Sequence, residues 1–171
     1  MYNSSELIEL LKKKYKIGVH QHDALFTVED SRKLRGKIGG AHTKNLFLKN
    51  KKNNFFLLSC EEADKIDLKK ISKSLELGNI SFAKEEYLEN YLKIKPGSVS
   101  PFALLNDKGG FVNFYLEQTL YESKHVNFHP LINTFTITIE TNKFIEFMIE
   151  NNKKIHIFSS ANGKVLKTYG K

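Results

Sequence analysis

Three short stretches hold the residue types that ester or phosphate chemistry uses: Lys44-Asn45, the loop Pro96-Gly97-Ser98-Val99-Ser100-Pro101, and Asn127-Phe128-His129-Pro130. A lysine ammonium can hold a phosphate or a carboxylate, and on an exposed edge strand it can equally be there for solubility. In a regular strand Lys44 and Asn45 point to opposite faces, so only one of them meets a given cleft. Pro130 biases His129 toward extended backbone between two strands, which suits a site residue and equally a core imidazole bonded to a carbonyl. The loop contains two of the chain's three prolines. Gly97 reaches dihedrals other residues resist, Pro96 and Pro101 stiffen its flanks, and Ser98 and Ser100 are small. Such a segment can offer its own N–H and C=O groups to an oxyanion or a water, or can be a plain crossover from helix to strand.

Other chemistry is less well provided for. His20 and His22 share one face of a strand, and His42 could approach them, yet no Cys pair or His/carboxylate set completes a metal site, and surface or capped histidines are the simpler expectation. Cys60 ends the run FFLLSC, read as a half-buried strand, where a free Cys behaves as a small hydrophobe; no basic cluster adjoins it to make a thiolate. The P-loop, the G-x-G-x-x-G fingerprint and the G-x-S-x-G elbow are all missing, so ordinary nucleotide-binding and serine-hydrolase signatures are excluded.

The 171 residues, 40% hydrophobic with thirteen Phe, fit one domain with a substantial core. The expected core spans about residues 5–158, with 159–171 a loosely attached tail. No apolar run is long enough to span a membrane, and the charged start MYNSSELIELLKKKYK lacks a signal peptide's apolar centre, so a cytoplasmic protein is expected. A net charge of +8 favours an anionic partner, although only Arg32 and Arg35 accompany the lysines, and Arg is the residue enriched where phosphates are gripped.

Periodicity supplies the elements that must position these residues. Ser4 or Ser5 caps a first helix with a Leu7, Ile8, Leu10, Leu11 stripe, and an extended segment runs from Val19 to Val28 before the short helix EDSRKLRGK. AHTKNLFLKN and FFLLSC form a hairpin across KKNN. Asp67 caps DLKKISKSLEL, closed by a left-handed Gly78, and FAKEEYLENYL is a further helix. FALLN and FVNFYL read as a second hairpin across DKGG. TFTITIE alternates at period two, followed by the helix NKFIEFMIEN and the strand IHIF. Strands joined by short turns, with no regular βαβ repeat, predict an α+β fold with a curved, mixed, largely antiparallel sheet flanked by helices.

Together AHTKNLFLKN, DLKKISKSL, LKIKPGSVSPFALLND and HVNFHPLINT, in that order and at that spacing, resemble the YbaK/prolyl-tRNA synthetase editing family over roughly residues 5 to 150, and within it the freestanding editing proteins. The resemblance implies an aminoacyl-tRNA hydrolase acting in trans on alanine mischarged onto proline tRNA, by double-sieve logic. Cys-tRNA(Pro) hydrolysis and a non-catalytic tRNA-binding module on the same fold are the alternatives. It implies tRNA(Pro) as partner, prolyl-tRNA synthetase as a transient one, and no DNA, membrane, metal or cofactor. The family's G-x-x-x-P loop falls on Gly97, Ser98, Val99, Ser100 and Pro101, its strand Lys on Lys44 and its histidine before Pro on His129, and these are the expected catalytic set. Asn45, Phe102 and Asn127 are expected to contact substrate, with Val99 and Phe102 limiting the pocket. The chemistry would belong to the loop's main chain, with neither serine a nucleophile.

Overall fold

The computed structural model describes residues 1–25 and 27–170; Phe26 and Lys171, which fall within the extended segment and the tail expected from the sequence, lie outside the described residues. The chain runs α1 (Ser4–Lys14), β1 (Gly18–Gln21), α2 (Val28–Arg35), β2 (Ala41–Asn50), β3 (Phe55–Glu61), α3 (Leu68–Ser74), β4 (Ile80–Phe82) and α4 (Glu85–Tyr87). A π-helical turn, Leu88–Leu92, and a 3₁₀ helix, Pro101–Asn106, lead to β5 (Val112–Glu117), α5 (Gln118–Glu122), β6 (His125–Phe128), β7 (Phe135–Glu140), α6 (Thr141–Glu150), β8 (Ile155–Ser159) and β9 (Lys164–Tyr169). The strands make one sheet in the order β1-β7-β6-β2-β3-β5-β8-β9, with β4 added to β2. This is the single-domain, α+β, mixed sheet predicted. Antiparallel pairs are the majority, while β2–β6, β3–β5 and β5–β8 are parallel.

The parallel centre corrects two expectations. FFLLSC is not half-buried: Phe55 to Cys60 are buried throughout, because helices cover both faces of a central strand. On one face Leu57, Phe114 and Ile157 join the main core with Leu7, Leu11, Phe102 and Phe144. On the other, Leu58, Cys60 and Phe158 pack with Ile71 and Leu77. Nor is FALLN a strand. Ser100 accepts a hydrogen bond from the Phe102 N–H (3.3 Å), Pro101 stands at the first helical position, and the run forms the buried 3₁₀ helix, so β5 pairs in parallel with β3 instead of in a hairpin with FALLN.

The hairpin of β2 and β3 forms as expected, with Lys44 opposite Cys60 and Asn45 opposite Ser59. Asp67 caps α3 through two backbone N–H groups. At the other end of α3 the first left-handed residue is Glu76 (φ 54°), and the Leu77 N–H reaches the Ser72 carbonyl (3.0 Å); Gly78 is also left-handed but two positions late for this role. Asn3, not Ser4 or Ser5, caps α1, in a reciprocal box with Glu6. FAKEEYLENYL is broken into the short α4 and the π-helical turn. Finally, the segment expected to be loosely attached forms β9, paired with β8 and tied to α5 by a Tyr169–Tyr121 hydroxyl contact of 2.8 Å.

Candidate active site

Strand β2 has β3 along one edge, but its other edge is covered only in part. β6 pairs there with Ala41 and His42, and β4 with Leu48, Lys49 and Asn50. Between them Thr43 to Leu46 have a strand partner on the β3 side alone. The chain leaves β6 at Phe128, so His129 stands where the sheet splits.

Lys44 and Asn45 lie in this gap on opposite faces, as the pleat requires. The Lys44 ammonium donates to the Asp64 carbonyl. That uses one of its three N–H groups. Asn45 accepts from the Ser59 hydroxyl through Oδ1 (2.5 Å) and donates to Thr43 Oγ1 (3.5 Å). Among the described residues no hydrogen bond joins Lys44 to the loop or to His129.

His129 is held rigidly. Its Nδ1 is 2.8 Å from the Phe135 carbonyl, which can only accept, so the proton sits on Nδ1, and among the described residues the Nε2 lone pair has no donor. Burial lowers the imidazole pKa and the neighbouring His22 lowers it further, against the Phe135 carbonyl and Glu62, which raise it. A neutral ring at physiological pH follows. His22 packs 5.9 Å from it, centroid to centroid, and is itself fixed by the Asp23 carbonyl (2.7 Å) and Thr136 Oγ1 (2.9 Å).

The proline-flanked loop is a tight turn. The Ser98 N–H donates to the Lys95 carbonyl (3.2 Å), Pro96 occupies the second position, and Gly97 has φ +84°, the pattern of a type II turn. Gly97 is exposed and Val99 half-buried, whereas Ser98, Ser100 and Pro101 are buried. Among the described residues the N–H groups of Gly97 and Val99 donate to no protein acceptor. The turn abuts the segment after β6: a Cβ on Gly97 would lie 3.3 Å from Asn133 Nδ2 and 3.9 Å from the Leu25 carbonyl. Asn133 and Leu25 are themselves joined by a backbone bond of 3.4 Å.

The fold therefore sets the loop beside the segment carrying His129 and stations Lys44 and Asn45 on the open edge of β2. Two expected contact residues are elsewhere. Phe102 is 0% exposed and packs edge-on against Phe128, Phe144 and Phe147, so it props up the strand before His129 and cannot limit a substrate pocket. Asn127 spends its amide on the Gly39 and Ala41 carbonyls (2.9 and 3.2 Å) and accepts from Thr138 Oγ1 (2.5 Å), fixing the turn into β2 rather than holding substrate. Ser100 and Pro101 begin the 3₁₀ helix and support the turn from below. Sequence reasoning missed His22, Glu62 and Asn133. His22 was visible only as half of an H-x-H pair, and the others join the site through long-range contacts.

The remaining histidines are dispersed: His20 meets Thr138 Oγ1 (3.2 Å) and His42 the Ile38 carbonyl (3.0 Å). Cys60 is fully buried, and burial pushes its thiol up to about 12, with Lys44 opposing. The thiol is protonated at neutral pH, so Cys60→Ala is expected to change kcat/KM less than about twofold, and its loss of activity would point to a thiol mechanism.

The family model for the aminoacyl-tRNA editing domain matches residues 22–147. A prolyl-tRNA synthetase associated domain-containing protein 1 from Xenopus laevis is 36% identical over 133 residues, covering 75% of this chain and 79% of the relative. The prolyl-tRNA editing protein ProX of Acetoanaerobium sticklandii is 33% identical over 120 residues, 70% of this chain and 73% of its own. A crystal structure described as a candidate trans-editing enzyme for prolyl tRNA synthetase superposes with a TM-score of 0.65 at 15% identity, over 91% of this chain and 96% of the other, and supports the fold.

Proposed function

Because the chain belongs to the aminoacyl-tRNA editing domain family, we propose that it is a trans-acting deacylase that removes alanine mischarged onto proline tRNA. The observation that carries this is the turn at Lys95–Ser98, beside the segment bearing His129, in which the exposed Gly97 and half-buried Val99 N–H groups have no protein acceptor among the described residues. Donors at the surface of a rigid turn that are not spent on the protein are free to meet a charge that develops on a substrate.

The aminoacyl ester would lie between this turn and the open edge of β2. Water, held by a carbonyl of the loop and assisted by the free hydroxyl of the terminal ribose, adds to the ester carbonyl. The oxygen that gains charge accepts from Gly97 and Val99. The C–O bond to the ribose then breaks, the ribose oxygen takes the proton, and alanine and intact tRNA leave. His129, neutral and with Nε2 unused, accepts an O–H or N–H of the aminoacyl-adenosine end, and Asn45 orients the same end from β2. Lys44, with two N–H groups to spare, holds a phosphate of the 3′ terminus. Val99 limits the room for the amino-acid side chain. No covalent enzyme intermediate is needed.

Proline tRNA is the partner in this account, prolyl-tRNA synthetase a transient one, and the cytoplasm the place of action. Among the described residues no helix is long and apolar enough to cross a membrane. The test is deacylation of Ala-, Cys- and Pro-tRNA(Pro) in parallel: alanine released fastest and proline spared supports the assignment. Preference for cysteine moves it to the other small substrate. Tight tRNA binding without turnover makes the chain a binding module.

A further inference from the structure

A second polar feature adjoins this site and has no part in the chemistry above. A cleft of about 580 Å³ opens among the end of α1, strands β1 and β7 and the start of β6, lined by Lys16, His20, Gly40, Lys124, His125 and Glu140 among others. It lies on the sheet face toward which His22 and Asn127 project, because His20 and His22 are two residues apart along β1 and its extension, as His125 and Asn127 are along β6. Two residues along an extended chain span about 7 Å, so the cleft begins roughly that far from His22.

Its walls are built to stay open and fixed. Thr138 Oγ1 meets both Asn127 Oδ1 (2.5 Å) and His20 Nε2 (3.2 Å), and Asn127 in turn holds the Gly39 carbonyl, so one hydrogen-bonded chain crosses from β1 to the turn before β2. Gly40 has φ +90°, and a Cβ there would lie 3.1 Å from the His125 carbonyl. Its charge is unbalanced. Lys16 and Lys124 have no carboxylate within ion-pair distance among the described residues, and Glu140, paired across the sheet with His125, is the one acid lining the cleft.

We infer that this cleft binds the phosphodiester backbone of the RNA substrate next to its aminoacylated end, through Lys16 and Lys124. The inference rests on the proposed function for the identity of the RNA. Two ammonium groups against one carboxylate, beside a preformed opening, attract phosphate without reading sequence. Neither lysine touches the reacting ester, so their loss weakens binding and leaves the chemical step alone.

The experiment compares wild type, Lys16→Ala, Lys124→Ala and the double variant on Ala-tRNA(Pro) across a salt series, and on an alanyl ester of adenosine, which has no phosphate. The double variant is expected to raise KM for the tRNA about tenfold at low salt with kcat unchanged. Its log affinity for tRNA should fall less steeply with log salt by about 1.4, which is two phosphates at about 0.7 each. Hydrolysis of the adenosine ester should be unaltered. An unchanged salt slope, or equal impairment on both esters, overturns the cleft. If wild type hydrolyses neither ester, the proposed function fails, and the slope for binding uncharged tRNA alone decides for or against the cleft.

Discussion

Replacing Lys44 by Ala is expected to lower kcat/KM for Ala-tRNA(Pro) by about 10²- to 10³-fold, the scale measured when one preorganised charged or oxyanion contact is removed. The ammonium stands on the stretch of β2 that no strand covers between β6 and β4, fixed at one N–H by the Asp64 carbonyl. Lys44 is half-buried, and so is Asp64, whose carboxyl pKa is raised by burial and by Glu117 and lowered by Lys44. A charge placed there works in a lower effective dielectric than a surface lysine does. Lys44→Arg should recover little, because the guanidinium is a planar fork rather than a compact point charge. Circular dichroism and thermal melting of Lys44→Ala should match wild type, since the residue is not in the core. A loss smaller than threefold would remove Lys44 from the mechanism.

Gly97→Ala is expected to cost about 1–2 kcal/mol in stability, the price of a left-handed backbone for a residue with a Cβ. Its activity should fall further, by about 10²-fold, because a shift of ~1 Å in positioned groups has that effect on rate. Both follow from φ +84° and from the 3.3 Å that would separate the new Cβ from Asn133 Nδ2. To relieve them the turn must rotate its Gly97 and Val99 N–H groups. Ser98→Ala supplies the contrast: the serine hydroxyl has no hydrogen-bond partner among the described residues, and its removal should leave kcat within about twofold if the main chain does the work. Chemical denaturation and single-turnover deacylation on the two variants separate the stability effect from the catalytic one.

Much of the scaffold was legible because period and caps agree with the final packing. β2 and β3 announce themselves by apolar runs around KKNN, α3 by Asp67, and α6 by its stripe of Phe144, Phe147 and Met148. FALLN was misread because a run of four apolar residues is as compatible with a buried helical turn as with a strand, and the choice was made by Ser100 and Pro101, which start a 3₁₀ helix. β9 was missed because an exposed edge strand of a sheet, KVLKTY, has no apolar face to declare it.

The candidate site was proposed from three motifs, and the structure bears differently on the individual residues. Asn127, on β6, sits two residues before His129 and carries the same kind of polar promise, yet its partners, Gly39 and Thr138, come from elsewhere in the chain. Local sequence does not show that an amide is already used up. Phe102 follows the loop directly, but the 3₁₀ helix turns it inward onto Phe128 and Phe144. The left-handed conformation of Gly97 agrees with the freedom expected of that residue, whereas the type II turn that Pro96-Gly97 builds was not named from the sequence.

The most direct measurement is the rate of deacylation of Ala-tRNA(Pro) and Pro-tRNA(Pro) by the same preparation of the full chain, at matched concentrations. The double-sieve account predicts rapid loss of alanine with proline retained. Equal hydrolysis of both, or of neither, would contradict it.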